Sequence, residues 1–174
     1  MAAVILVTND DGVHAAGLDA LAGALDELGE VYVVAPDREQ SAVGHALTLH
    51  RPLRVTQVGE RRFAVNGTPS DCVNLAVLGF LPGRPVLVAA GINHGSNLGD
   101  DVTYSGTVSA AMEGTLLGVP SIAVSQADAG TAGFEGAAAV TRLLASRVLV
   151  EGLPAKTLLN VNVPGGTAGG IRMT

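Results

Sequence analysis

The chain has 174 residues, of which 48% are hydrophobic and only 3% aromatic, and its formal net charge is −6. That length suits one domain with a substantial core and is short for two large ones. The acidic balance argues against a nucleic-acid duplex as partner, because such binding runs on Lys and Arg.

With so few aromatics, the core must be built from Val, Leu, Ala and Ile, as in parallel sheets covered on both faces. The charged fraction of 15% is low for a soluble domain and points to a compact body or to surface given over to subunit contact. A single cysteine, Cys72, allows no intrachain disulfide and fits a reducing compartment. The amino-terminal residues run straight into a strand pattern without the layout of a signal peptide. No apolar run approaches the ~20 residues of a membrane span. The expectation is a cytoplasmic protein with no membrane contact.

In chain order, Val4–Val7 reads as a buried strand that ends abruptly in Asn9-Asp10-Asp11-Gly12. Leu18, Leu21, Ala22, Leu25 and Leu28 recur at helical spacing, with Gly29 as a stop. Val31–Ala35 is a second strand, closed by Pro36-Asp37, and an irregular polar stretch follows at Arg38–His45. The stretches around Leu47–His50, Leu53–Val58 and Arg62–Val65 read as shorter, mixed or antiparallel strands. Thr68-Pro69-Ser70-Asp71 reads as a helix start, with Pro in the first turn and an acid inside it, and the helix carries Cys72, Leu75, Ala76 and Leu78. Pro85–Ala90 is a strand running into a Gly-rich loop, Gly91–Asp101. Ser105–Leu117 is a small-residue helix, Ser121–Ser125 a strand, Gly136–Val148 a helix and Leu158–Val163 the last strand. Gly165–Gly170 reads as a turn or a frayed end. The alternation implies an α/β fold: three layers around a mainly parallel, doubly wound (Rossmann-like) sheet.

Loops that follow parallel strands gather at one edge of such a sheet, where ligands bind. Asp10 and Asp11 therefore stand at a ligand-binding edge, and their mutual repulsion asks for a partner. A divalent cation that prefers oxygen ligands is one answer, and an Asx-type turn between strand and helix is the other. Three glycines and two asparagines in Gly91–Gly99 let backbone amides approach a ligand closely, although a plain surface loop has the same composition. Ser41, by residue type alone, reads as part of a solvated loop. Thr103–Thr107 opens a helix, where Ser and Thr cap free amides and where the same amides form an anion site. The four histidines, His14, His45, His50 and His94, lack the spacing of a zinc hydrolase, and one cysteine excludes a thiolate zinc site. His45 and His94 lie in candidate site loops, whereas His50 reads as structural or exposed. Walker-type, G-x-G-x-x-G and G-x-S-x-G signatures are absent.

The chain resembles the survival protein SurE family, the metal-dependent 5′/3′-nucleotidases. The resemblance rests on V-T-N-D-D-G-V-H-A at 7–15, V-V-A-P-D-R-E-Q-S at 33–41 and G-H-A-L-T-L at 44–49. It continues with N-G-T-P-S-D-C-V at 66–73 and G-I-N-H-G-S-N-L-G-D-D-V-T-Y-S-G-T-V at 91–108, and closes with A-M-E-G at 111–114 and L-N-V-N-V-P at 159–164. It implies an enzyme that hydrolyses nucleoside monophosphates, and other small phosphate esters, to release phosphate. It also implies one divalent cation, Mg²⁺ or Mn²⁺, on Asp10, Asp11, Ser41 and Asn93, with Asp10 or Asp11 steering the attacking water. Phosphate contacts are implied for Asn97, Ser105, Gly106 and Thr107. A homodimer or homotetramer is implied as well.

Ala16, Ala46, Ala90 and Ser96 depart from the family's usual Pro, Ser, Ser and Pro, and the last change makes the loop before Asn97 less stiff. Residues 1–174 read as a single domain that lacks the carboxyl-terminal segment through which family members exchange contacts. The alternative function is therefore a truncated module that binds metal and nucleotide without turnover.

Overall fold

Val4–Thr8 is a run of apolar and β-branched residues, and it forms a strand buried along its whole length, β1. The structure, a computed structural model, describes residues 3–127, 133–165 and 169–174. After β1 come α1 (Ala16–Leu25), β2 (Glu30–Pro36), β3 (Val55–Gly59), β4 (Arg62–Val65) and α2 (Pro69–Leu75). Then follow β5 (Leu87–His94), α3 (Gly106–Leu116), β6 (Ser121–Gln126), α4 (Glu135–Glu151) and β7 (Leu159–Val163). The strands form one seven-stranded sheet in the order β3-β4-β2-β1-β5-β6-β7. Every neighbouring pair is parallel except β3 with β4. Among the described residues, no helix is long and apolar enough to cross a membrane.

The three layers follow from the alternation of side chains along β1. Ile5 and Val7 face a core shared with Leu18, Leu21 and Leu25 of α1 and with Ala137, Ala145 and Val148 of α4. Leu6 faces the other core, with Cys72 and Val73 of α2 and Val108, Ala110 and Ala111 of α3. Cys72 is fully buried there, as a small hydrophobe. The chain winds outward from β1 to β2, then returns across the sheet to β5 on β1's other side. Strand order reverses between β1 and β5, so the crevice above their carboxyl ends is the place where such sheets take ligands.

Four local expectations are corrected. The stretch Leu47–His50 is not a strand. Its main chain is held by side chains elsewhere: the Thr48 amide donates to Asp71 Oδ1 at 2.9 Å, and Thr68 Oγ1 donates to the Ala46 carbonyl at 2.7 Å. A chain paired to side chains has no ladder to join. The helical stripe of α1 stops at Leu25, and Leu28 is reached by a turn in which its amide donates to the Leu25 carbonyl. Helix α2 begins with a capping box between Thr68 and Asp71, as the residues imply, but passes into a π turn at Ala76–Phe80. The wider turn shifts the helical phase, and Leu78 is 63% exposed. Finally, β5 runs on to His94, so Gly91–His94 belongs to the sheet; its pairing with β6 is irregular between Ala90 and Asn93. Of the Gly-rich tail, residues 166–168 lie outside the described residues.

Candidate active site at the switch between β1 and β5

Asn9 organises the turn after β1. Its Oδ1 accepts from the Gly12 amide at 3.2 Å, and its Nδ2 donates to the Gly12 carbonyl at 3.0 Å. An Asx turn is thus present. The turn belongs to Asn9, which leaves the carboxylates of Asp10 and Asp11 to other work.

Asp10 is buried and points at the amino end of α3, where the Thr107 hydroxyl donates to its Oδ1. Burial raises its pKa, while the Thr107 hydroxyl and the amides of Asp10, Thr107 and Gly106 pull it partly back. The close approach is permitted by Gly106. A Cβ at that position would lie 2.8 Å from Asp10 Cβ and 2.9 Å from Oδ2. Gly106→Ala is therefore expected to destabilise the fold by about 1–3 kcal/mol through overpacking, read as a lower urea midpoint. An unchanged midpoint would show that the end of α3 retreats freely from Asp10.

Asp11 is half-buried, and its carboxyl is pushed up to about 6. Burial is the main cause, the charges of Asp10 and Glu39 add to it, and His94 opposes them. Asp11 thus feels three ionisable side chains: its neighbour Asp10, Glu39 from the loop after β2, and His94 at the end of β5. The loop after β2 is tied to this pair: the Gln40 amide donates to the Asp10 carbonyl at 2.7 Å. Ser41, the next residue, is exposed and donates its hydroxyl to Glu39 Oε1 at 2.7 Å.

The remaining predicted residues are placed as follows. Asn93 lies near the end of β5, and its Nδ2 donates to the Gly95 carbonyl at 2.9 Å, so Oδ1 is the side-chain atom that could serve a cation. Asn97 lies further out along the sheet, bonded to β6 and β7 rather than to Asp10 or Asp11. Ser105 is the N-cap of α3 and accepts from the Val108 amide at 3.1 Å, so its hydroxyl is engaged in capping. Direct contact therefore joins Asp10, Gly106 and Thr107; Asp11, Glu39 and His94 interact through charge; Ser41 is linked through Glu39 and Gln40.

Asp10, Asp11, Ser41 and Asn93 together offer only oxygen donors, two of them carboxylates. That chemistry fits a hard divalent cation such as Mg²⁺ or Mn²⁺. Among the described residues, no three or more His, Cys, Asp and Glu side chains are grouped to hold a metal ion. A cation at this edge would therefore need the Ser41 hydroxyl and the Asn93 carboxamide as well as carboxylates.

A family model described as survival protein SurE matches residues 5–174. The chain belongs to that family. It is 60% identical over 173 residues to a protein named 5′-nucleotidase SurE from Syntrophotalea carbinolica, covering 98% of this chain and 69% of that one. A protein of the same name from Geotalea uraniireducens is 63% identical over 163 residues, covering 92% of this chain and 65% of that one. The crystal structure of the SurE protein from Aquifex aeolicus superposes with a TM-score of 0.88 at 49% identity, covering 92% of this chain and 66% of that one. The chain thus spans about two thirds of the length of these SurE relatives.

Three groups in this SurE chain escape sequence reasoning. Glu39 holds Ser41. Glu113 is a buried carboxylate on α3 that accepts from Asn74 Nδ2 at 2.8 Å and pairs with His45 Nε2 at 2.7 Å. His45 thus serves as a tie between its loop and α3. The third group is Asn160 and Asn162 on β7, which hold Asn97. Only the last left a signal: two Asn at a spacing of two in L-N-V-N-V, on a strand whose other face is apolar.

Proposed function

We propose that this chain is a metal-dependent phosphatase that hydrolyses nucleoside 5′-monophosphates, and also 3′-monophosphates and other small phosphate esters. One observation carries the reading. The carboxylates Asp10 and Asp11 follow β1 at the edge where strand order reverses, and Asp10 abuts the amino end of α3. The name that these relatives bear, 5′-nucleotidase, supports the substrate class.

Asp10, Asp11, Ser41 and Asn93 would hold one divalent cation. When bound, such an ion supplies a Lewis acid that screens charge building on the phosphoryl group and makes water more acidic. The chain's own residues do the rest. Ser105, Gly106 and Thr107 stand at the amino end of α3, whose helix dipole favours phosphate oxygens. Asn97 adds a carboxamide donor. Asp10 or Asp11 orients the attacking water and takes its proton. Positioning and charge stabilisation of this kind are most of what phosphoryl transfer asks of a protein. The lone cysteine supports a reducing, cytoplasmic setting, and the low charged fraction supports assembly into a homodimer or homotetramer.

The test is phosphate release from AMP. EDTA is expected to stop it, and added Mn²⁺ or Mg²⁺ to restore it. Turnover that persists in chelator would sink the metal assignment. Calorimetric binding of metal and AMP with no phosphate released would establish the non-catalytic module instead.

A further inference from the structure

The loop that carries Asn97 is held from outside itself. Side chains two residues apart share a face of a strand. Leu159, Val161 and Val163 of β7 pack on the α1–α4 core, so Asn160 and Asn162 occupy the opposite face. There Asn162 pairs with the main chain of Asn97 at two points. The Asn97 amide donates to Asn162 Oδ1 at 2.8 Å, and Asn162 Nδ2 donates to the Asn97 carbonyl at 3.1 Å. Asn160 Nδ2 donates to the same carbonyl at 3.0 Å. The Asn97 side chain is fixed separately, its Nδ2 donating to Ser125 Oγ at 2.8 Å. Ser125 and Asn162 are register partners on β6 and β7.

Both main-chain groups of Asn97, and one hydrogen of its carboxamide, are thus taken by two strands of the sheet. Asn97 is 7% exposed, although it sits in a Gly-Ser-Asn-Leu-Gly loop that lacks proline. A buried main chain needs partners, but a single bond to each group would meet that need. The doubled carbonyl contact and the two-point pairing fix translation and rotation together. A group pre-set in this way need not be ordered when substrate arrives.

We propose that Asn162, supported by Asn160 and Ser125, is a positioning residue that holds the second N–H of the Asn97 carboxamide for a phosphate oxygen. The inference rests on the reading of Asn97 as a phosphate contact. It assigns stiffness in this loop to β7, where a proline at position 96 would otherwise supply it.

Four forms of the whole chain test it: wild type, Asn97→Ala, Asn162→Ala and the double variant. The readouts are KM for AMP, inhibition by inorganic phosphate, and Mn²⁺ affinity by calorimetry. Asn162→Ala is expected to raise KM and the phosphate inhibition constant by about tenfold, the loss of a hydrogen bond or two, with Mn²⁺ affinity within about twofold of wild type. In the Asn97→Ala background the same change is expected to raise KM no further, because the group it positions is gone. A general structural role predicts the same rise in both backgrounds, and that result would overturn the proposal. So would wild-type phosphate inhibition in Asn162→Ala. Wild-type KM and phosphate inhibition in Asn97→Ala itself would instead remove the phosphate-contact reading, and this inference with it. Should Asn162→Ala fail to fold, Asn160→Ala runs the same cycle with a smaller expected effect, because the Asn97 carbonyl keeps one donor.

Discussion

Asp10→Asn is expected to cut the rate of phosphate release from AMP by about 10³-fold, some 4 kcal/mol of transition-state stabilisation. Asparagine has the same shape and keeps an Oδ1 to accept the Thr107 hydroxyl, so the contact with α3 survives. What is lost is the negative charge at the crevice. That charge is costly in the metal-free fold, because burial raises the carboxyl's pKa. Relief of that charge and loss of one acceptor for the Gly106 and Thr107 amides oppose each other, so the variant should melt close to the wild-type temperature, measured without metal. Lost turnover with unimpaired stability is the pattern of a site that trades stability for function. Asp11→Asn should behave in the same way. Full turnover by either variant at saturating Mn²⁺ would contradict the ligand assignment.

The second large effect is on the linkage between pH and metal. Asp11 titrates at about 6 in the folded chain, above the ordinary 3.8, chiefly through burial and then through the charges of Asp10 and Glu39. The folded state therefore holds this proton more tightly than the unfolded chain. Above about pH 6 the ionised group is a full burden on the metal-free fold, and the burden lifts as pH falls through 6 toward 3.8. A cation reverses the preference, since it binds the ionised form and expels the proton. Mn²⁺ at about 100 times its dissociation constant at pH 7.5 should add about 2.7 kcal/mol, or about 5–10 °C in Tm. At pH 5 the same concentration should add roughly half as much, because affinity falls about tenfold per pH unit below the pKa. Equal thermal shifts at both pH values would separate Asp11 from the cation.

The parts of the fold that could be read from residues alone were those with local causes. β1 declares itself by a buried apolar run, α2 by its capping box and proline, and α3 by Ser105 ahead of small residues. The carboxylate pair was legible because a core strand ends in it. The rest depends on partners distant in sequence. Glu113 reaches 68 residues back to His45, and Asn162 reaches 65 residues back to Asn97. Neither bond leaves a periodic trace at the other end. The misread stretch at Leu47–His50 has the same origin, because alternating residues look like a strand whether a ladder or a set of side chains receives their main chain.

The segment from Arg38 to His50 crosses α2 and α3 without a ladder of its own. It is fastened by the Gln40, Gly44 and Thr48 amides, the Ala46 carbonyl and the His45 ring. Leu47 and Leu49 of this segment are exposed, so it is expected to behave as a low-stability cooperative unit that opens before the sheet melts. Each such opening would withdraw Ser41 while Asp10 stays bound to α3. Amide exchange at Thr48 would then run on a faster clock than exchange within β1, and occupancy by a cation would slow the first without touching the second.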